Sequence, residues 1–346
     1  MRINSIYEGD NLEVLRKFPD KSVDLIYADP PFFSNQHYVV HSEDGFRGFT
    51  DKWSGGIDSY IAWIKERMVE CRRILKDTGS IYLHCDYHAN GYLRVTMDQV
   101  FGIKNMRNEI VWKRTYAHGG GTKGFSRIHD TILFYSKTEQ FRFNKQYNPY
   151  SKEYVEGFFK QADSDGRRYQ LVIATGPGET KKDYEWQDKK PPKGRHWAYN
   201  KAKMEELEKE GRLVYSKNGI PRVKQYIDEK PGTLISDIWN DIDVIHSLSK
   251  ERQKYPTQKP LSLLERIIGS SSVEGEVVLD PFCGCGTTLV AAQKLNRRWI
   301  GIDINTDACN LMKKRMTEFN IDAPIIKVVD QRELDDYLQS HNTSSK

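Results

Sequence analysis

Asp280-Pro-Phe-Cys-Gly-Cys-Gly-Thr-Thr288 stands between the apolar run Glu276-Val-Val-Leu-Asp280 and a segment, 287–296, that reads as a helix. A strand, a glycine-rich turn and a helix in that order form the place where doubly wound sheets hold adenosine-containing cofactors. Gly284 and Gly286 let the backbone approach a ligand closely. The next apolar run, Trp299-Ile-Gly-Ile-Asp303, ends in an acid 23 residues beyond Asp280. That is close to the ~20-residue offset at which such an acid grips ribose hydroxyls. The order is not GxGxxG, so the helix start is not arranged for a dinucleotide pyrophosphate, and a nicotinamide-dependent oxidoreductase is disfavoured. Alone, the segment is consistent with a turn in any α/β protein.

A second motif changes the balance. Ser22-Val-Asp-Leu-Ile-Tyr-Ala28 is a short apolar run suited to a buried parallel strand, and Asp29-Pro-Pro-Phe32 follows it directly. Both motifs therefore fall at carboxyl ends of strands and are expected to face one crevice. The tandem prolines fix φ near −65° and cannot donate, so Pro30 and Pro31 form a stiff segment presenting carbonyl acceptors. Asp29 adds a carboxylate and Phe32 a flat face on which a base can stack. An aromatic amino group is a weak nucleophile because its lone pair is delocalised into the ring. Hydrogen bonds from its two hydrogens to Asp29 and a Pro30 carbonyl favour a pyramidal nitrogen aimed at an electrophilic methyl. Standing alone, this segment would be a structural Pro-Pro turn.

Outward from these motifs, residues 59–76 place Ile61, Ile64, Met68, Cys71 and Leu75 at helical spacing, with Asp58 or Ser59 as cap and Gly79 beyond the end. Ile81–Cys85, Asn108–Lys113 and Thr131–Ser136 read as strands, and the alternation favours an α/β sheet. The middle loses this rhythm. Lys201–Gly211 reads as a helix, and Arg212–Ser216 and Pro221–Tyr226 read as a hairpin around Lys217-Asn-Gly219. Four regions are expected: a first half at 1–140, an inserted lobe at 141–250, a second half at 251–338 and a polar tail at 339–346.

Bulk properties narrow the class. The 346 residues include 14 Phe, 19 Tyr and 7 Trp, enough to bury a sizeable core. No basic-then-apolar leader and no membrane-length apolar run is present, so a cytoplasmic, membrane-free protein is expected. Cysteines at 71, 85, 283, 285 and 309 include no CxxC pair, which indicates reduced thiols and no metal site. Residues 141–260 carry 24 Lys and Arg against 18 Asp and Glu, while the rest carries 29 against 30. The positive excess thus lies in the middle, as a polyanion-binding surface requires, although an ordinary solvated surface has about even odds on charge alone.

Asp29-Pro-Pro-Phe32 followed much later by Asp280-Pro-Phe-Cys-Gly-Cys-Gly286 resembles the amino-methyltransferases of DNA, the N6-adenine and N4-cytosine enzymes, in the circularly permuted order of their β class. Gly9-Asp10-Asn11, His129-Asp130 and Tyr255-Pro-Thr-Gln-Lys-Pro260 match too, so the resemblance covers about 1–145 and 250–310. It implies a Rossmann-like methyltransferase sheet and S-adenosyl-L-methionine as cofactor. The catalytic set would be Asp29, Pro30, Pro31 and Phe32. The cofactor set would be Asp10 on the adenine, Lys259 and Pro260 enclosing the ligand, and Asp280, Pro281, Phe282, Gly284, Gly286, Thr287 and Asp303. Double-stranded DNA would bind the 141–250 lobe, with the target base flipped out. The resemblance also implies a dimer and leaves open a cognate restriction endonuclease. Cytosine enzymes often carry Ser where Asp29 stands, so adenine N6 is expected, with cytosine N4 and a DNA-binding protein without turnover as the alternatives.

Three further features have bland readings. Gly119-Gly-Gly-Thr-Lys-Gly124 lacks the GK[ST] order of a P-loop and reads as a loop. His84, Asp86 and His88 read as a polar strand end rather than a metal site. Trp53, Trp197 and Trp239 read as core residues.

Overall fold

Apolar runs at nine places become the strands of one sheet: β1 (Ser5–Glu8), β2 (Val23–Ala28), β3 (Leu75–Cys85), β4 (Met106–Lys113), β5 (His129–Ser136), β6 (Ile238–Trp239), β7 (Val277–Asp280), β8 (Arg298–Asp303) and β9 (Ile325–Lys327). The computed structural model describes residues 1–328 other than 43–44, 117–123, 179, 181–183, 230, 247 and 254. The expected glycine loop at 119–124, save Gly124, and the expected tail at 339–346 lie outside the described residues. The strand order is β6-β4-β5-β3-β2-β7-β8-β1-β9. All pairings are parallel except those of β5, which runs antiparallel to both β3 and β4.

Every residue of β2 and of β7 is buried, because helices cover both faces of a mostly parallel sheet. Helices α1 (Asn11–Arg16), α2 (Gly56–Ile74) and α3 (Asn90–Phe101) pack in one cluster with the alternate strand residues Ile26, Ala28, Ile81, Leu83, Leu279 and Ile300. The residues between them serve the other face, where Tyr82 shares a 2.7 Å hydrogen bond with Ser271 of α4 (Leu261–Ser271). Helix α4 packs on α5 (Thr287–Lys294), and α6 (Thr306–Thr317) follows β8. The fold is thus the expected Rossmann-like α/β arrangement.

Helix α2 begins three residues before the expected start, after Gly55, so Asp58 lies in its first turn rather than capping it. There its charge still complements the helix dipole. The helix ends at Ile74, and Leu75 already belongs to β3, because the Ser22 amide takes the Ile74 carbonyl and draws the chain into the sheet.

By its internal contacts the chain divides into two compact units, Met1–Gln146 with Ser236–Lys346, and Tyr147–Ile235. Two contacts hold the flanks of the expected 141–250 span within the first unit. Asn144 bonds the carbonyls of Gly269 and Ser272 at the end of α4, and β6 pairs with β4. The second unit has its own antiparallel sheet in the order 213–215, 221–226, 168–173 and 161–162. The turn at Lys217-Asn-Gly219 joins its hairpin, and helix Lys201–Lys209 supplies Met204 and Leu207 to a core with Trp186, Trp197 and Val223.

Candidate active site

The sheet brings Asp29 and Asp280 to the carboxyl ends of adjacent parallel strands, β2 and β7, with Ile26 opposite Leu279. From β7 the chain moves to β8 on one side, and from β2 to β3 on the other. Strand order reverses between them, and a reversal of this kind opens a crevice in doubly wound sheets. A cleft lies there, lined by both motifs together with Asp10, Asn11, Trp63, Tyr255, Lys259, Asp303 and Ile304.

The turn after β7 is held by its own acid. Asp280 Oδ1 accepts from the Phe282 amide at 2.9 Å, and Oδ2 from Thr288 Oγ1 at 2.5 Å. Burial pushes the Asp280 carboxyl up to about 7, against the lowering effect of those two bonds. Asp303 accepts from the Gly284 amide (2.8 Å) and the Asn305 amide (2.8 Å), tying the turn to the end of β8. Its pKa is also raised, by burial. Gly284 has φ +52°, and a Cβ there would lie 3.1 Å from the Tyr255 ring. Gly286 has φ +78° and faces away from the cleft, where a Cβ would meet Met312 of α6 at 2.7 Å. Its requirement for glycine comes from backbone conformation and helix packing.

Residues from the chain start complete this side. Asp10 caps α1 through the Leu12 amide (2.8 Å) and accepts from Arg67 Nη2 at 2.6 Å. Arg67 also donates to Asn11 Oδ1 at 2.6 Å, and its guanidinium lies 3.8 Å from the centroid of the Trp63 ring. Burial lowers the Arg67 pKa, with Asp10 opposing. Asn11 in turn donates to the Pro281 carbonyl.

The catalytic segment is held as firmly. Tyr60 donates to the Pro31 carbonyl at 2.7 Å, so this acceptor is occupied. Buried Asp51 accepts from the amides of Phe33 (3.1 Å) and Ser34 (2.6 Å) and from Trp53 Nε1 (2.9 Å). These bonds stabilise the left-handed backbone of Phe33, φ +61°, an uncommon state for such a residue. Asp29 Oδ2 accepts from Lys259 Nζ at 2.5 Å, while Asp29 Oδ1 is buried and without a hydrogen-bond partner among the described residues.

Phe32 stacks on His84, with centroids 5.6 Å apart, and Lys259 Nζ lies 4.9 Å from the centroid of its ring. His84 is fully buried, bonded to Tyr27 Oη at 2.8 Å and Asp130 Oδ2 at 3.3 Å. Burial works against the Asp130 charge, but His84 and Arg114 outweigh it and hold the carboxyl below its ordinary range. His84 points inward, whereas Asp86 pairs with His88 at 2.8 Å. No group of side chains suited to a metal occurs among the described residues. Trp53 packs edge-on against Tyr60 and Trp63, while Trp197 and Trp239 are buried. The five cysteines are free and buried.

Of the residues expected at the site, Asp10, Asp29, Pro30, Pro31, Phe32, Lys259, Asp280, Pro281, Phe282, Gly284, Thr287 and Asp303 line the cleft. Pro260 and Gly286 do not: Pro260 precedes α4 as its buried N-cap, and Gly286 opens α5. Lys259, expected to enclose a cofactor, is instead bound to the catalytic carboxylate. Sequence reasoning missed Tyr27, Asp51, Trp63, Asn11 and Tyr255 as lining residues. Asn11 and Tyr255 sit inside the matched segments, which was their only signal. Asp51 and Trp63 had none.

Known proteins share this arrangement. An N6/N4 DNA methylase family model matches residues 23–314. The chain is 31% identical over 316 residues to the Type II methyltransferase M.EcaI of Enterobacter cloacae, covering 90% of this chain and 69% of that one. It is 28% identical to the DNA adenine methyltransferase YhdJ of Escherichia coli strain K12, over 90% of this chain and 82% of that one. In fold it is similar to the DNA modification methylase TTHA0409 of Thermus thermophilus, solved with S-adenosyl-L-methionine. The TM-score is 0.51 and the identity 18%, over 94% of this chain and 99% of that one. No helix among the described residues is long and apolar enough to cross a membrane. A methylase family model spanning both motifs, and a cleft in which those motifs meet, lead to one conclusion: this chain belongs to the N6/N4 DNA methylase family.

Proposed function

We propose that this DNA methyltransferase methylates the N6 amino group of adenine, with the base turned out of the duplex into the cleft beside Asp29. The observation that carries the reading is the unpartnered Oδ1 of Asp29, a buried carboxylate oxygen lining the same cleft as the Asp280–Thr288 turn. A buried acceptor left without a partner is costly, so a substrate donor is its natural complement. An exocyclic amino group supplies such a donor. The presence of Asp29, rather than the Ser common in cytosine enzymes, favours adenine.

S-adenosyl-L-methionine supplies a methyl group on a sulfonium, a leaving group good enough to need no metal. The residues present fit that cofactor. Trp63, Phe282 and Ile304 offer apolar walls, and Asp303, Thr287 and the backbone at Gly284 offer polar contacts. Asp29 Oδ1 accepts one amino hydrogen and so directs the nitrogen lone pair. The Pro30 carbonyl, with no hydrogen bond among the described residues, is the candidate for the other. Tyr60 and Asp51 fix the Asp29–Ser34 segment so that these acceptors stay in place, which is catalysis by alignment. The Tyr147–Ile235 unit, with 18 Lys and Arg against 14 Asp and Glu, provides the surface for DNA.

Mass spectrometry of nucleosides from DNA treated with the purified protein tests this directly. N6-methyladenine is expected, and N4-methylcytosine in its place would reverse the choice of base.

A further inference from the structure

Lys259 is buried, and buried lysines are almost always paired. Its partner is Asp29 Oδ2, 230 residues away in sequence, at 2.5 Å. Two features show that the chain holds this lysine in place. Thr257 has φ +65°, a rare state for a β-branched residue that persists only where surrounding structure enforces it. The enforcing contacts are present: Gln258 donates to the Glu251 carbonyl (2.8 Å) and accepts from the Gln253 amide (2.8 Å), and Glu251 binds the Leu261 amide at the start of α4.

We propose that Lys259 is a positioning residue for methyl transfer, anchoring Asp29 by Oδ2 so that Oδ1 alone is presented to the target amino group. The proposal rests on the role given to Asp29 above. A carboxylate torsion is broad and roughly two-fold, so an unanchored Asp29 would offer its two oxygens interchangeably over a range of directions. A fixed cation on one oxygen removes that freedom. The same ammonium lies 4.9 Å from the centroid of the Phe32 ring, so carboxylate and aromatic face are held by one group.

The test compares Lys259→Met, Lys259→Gln, Lys259→Arg and Asp29→Asn in the full-length protein. Melting curves, cofactor affinity by calorimetry, DNA affinity by fluorescence anisotropy and single-turnover rates at saturating ligands are measured for each. Lys259→Met is expected to bind both ligands within about threefold of the parent while its rate falls about tenfold or more, with Lys259→Arg restoring most of it. In the Asp29→Asn background, Lys259→Met should change the residual rate by less than about twofold, because the lysine acts only through the carboxylate. A merely structural lysine would give additive losses. Weakened cofactor binding with an unchanged saturated rate would overturn the proposal in favour of a cofactor-enclosing lysine, and an unaltered rate would overturn it outright. If Lys259→Met does not fold, loss in Lys259→Gln with retention in Lys259→Arg supports the proposal, and equal rates in the two reject it. Parental turnover in Asp29→Asn overturns the role of Asp29 itself. Loss there with full turnover in Lys259→Met overturns only that of the lysine.

Discussion

The side-chain amide of Asn11 donates to the carbonyl of Pro281 at 2.8 Å, joining the start of the chain to the cofactor turn. Asn11 is itself held by Arg67 from α2, so three distant segments share one buried polar network. Asn11→Ala removes the donor and leaves the carbonyl and Arg67 short of partners, a loss of about 1–3 kcal/mol. Calorimetry should show weaker cofactor binding, and a melting curve should show lower stability. Parental values in both would mean that water replaces the amide without cost.

Asp29→Ala should lower the single-turnover rate at least about a hundredfold while cofactor and DNA still bind, because its hydrogen bond aligns the attacking nitrogen. Phe32→Ala should differ, weakening DNA binding as well as rate, since base stacking contributes about 1–3 kcal/mol. Phe32→Trp should stay partly active. Near-normal turnover in Asp29→Ala would remove the basis of the proposed function.

Gly284→Val places a β-branched residue at φ +52° with its Cβ 3.1 Å from the Tyr255 ring. The left-handed backbone alone costs about 1–2 kcal/mol, and the turn must shift to relieve the contact. Loss of cofactor affinity with the sheet still folded is expected by calorimetry and circular dichroism. Unchanged affinity would show that the turn does not touch the ligand.

Burial raises the Asp280 carboxyl to about 7, above its ordinary value of 3.8, so between those values the folded protein holds a proton that the unfolded chain has lost. The folded state binds more protons there, and this contribution to stability falls as pH rises from about 4 to 7, by at most about 1.4 kcal/mol per unit. Asp280→Asn cannot titrate and should lack that decline. Denaturant titrations of both proteins across this range would show it as a difference that shrinks with rising pH. A constant difference would argue against the raised value.

DNA binding should weaken with salt as Lys and Arg displace counterions, by at least about tenfold between roughly 50 and 200 mM. Fluorescence anisotropy across a salt series measures the slope. A flat response would exclude the 147–235 unit as an electrostatic binding surface.

Local chemistry makes the two halves of the site legible in the sequence. An apolar run ending in Asp-Pro-Pro-Phe, and another ending in a glycine-rich turn, mark strand ends because burial on both faces and turn geometry are properties of neighbouring residues. The hairpin at Asn218-Gly219 and the α2 stripe are readable for the same reason, although the true start at Gly56 is not, since it has no side-chain cap. Side-chain partnerships belong to the tertiary structure. Lys259 on Asp29, Arg67 on Asp10, Asn11 on Pro281 and Asp51 on the Phe33 and Ser34 amides form only after the sheet order places β2 beside β7 and α2 beside α1. The spacing of residues along the chain carries no signal for them, because such a bond depends on positions brought within about 3 Å by packing elsewhere. The sequence alone thus determined the strand-end motifs and the class of chemistry. The tertiary structure alone decided which oxygen of Asp29 is anchored and which is left buried and unpaired at the cleft.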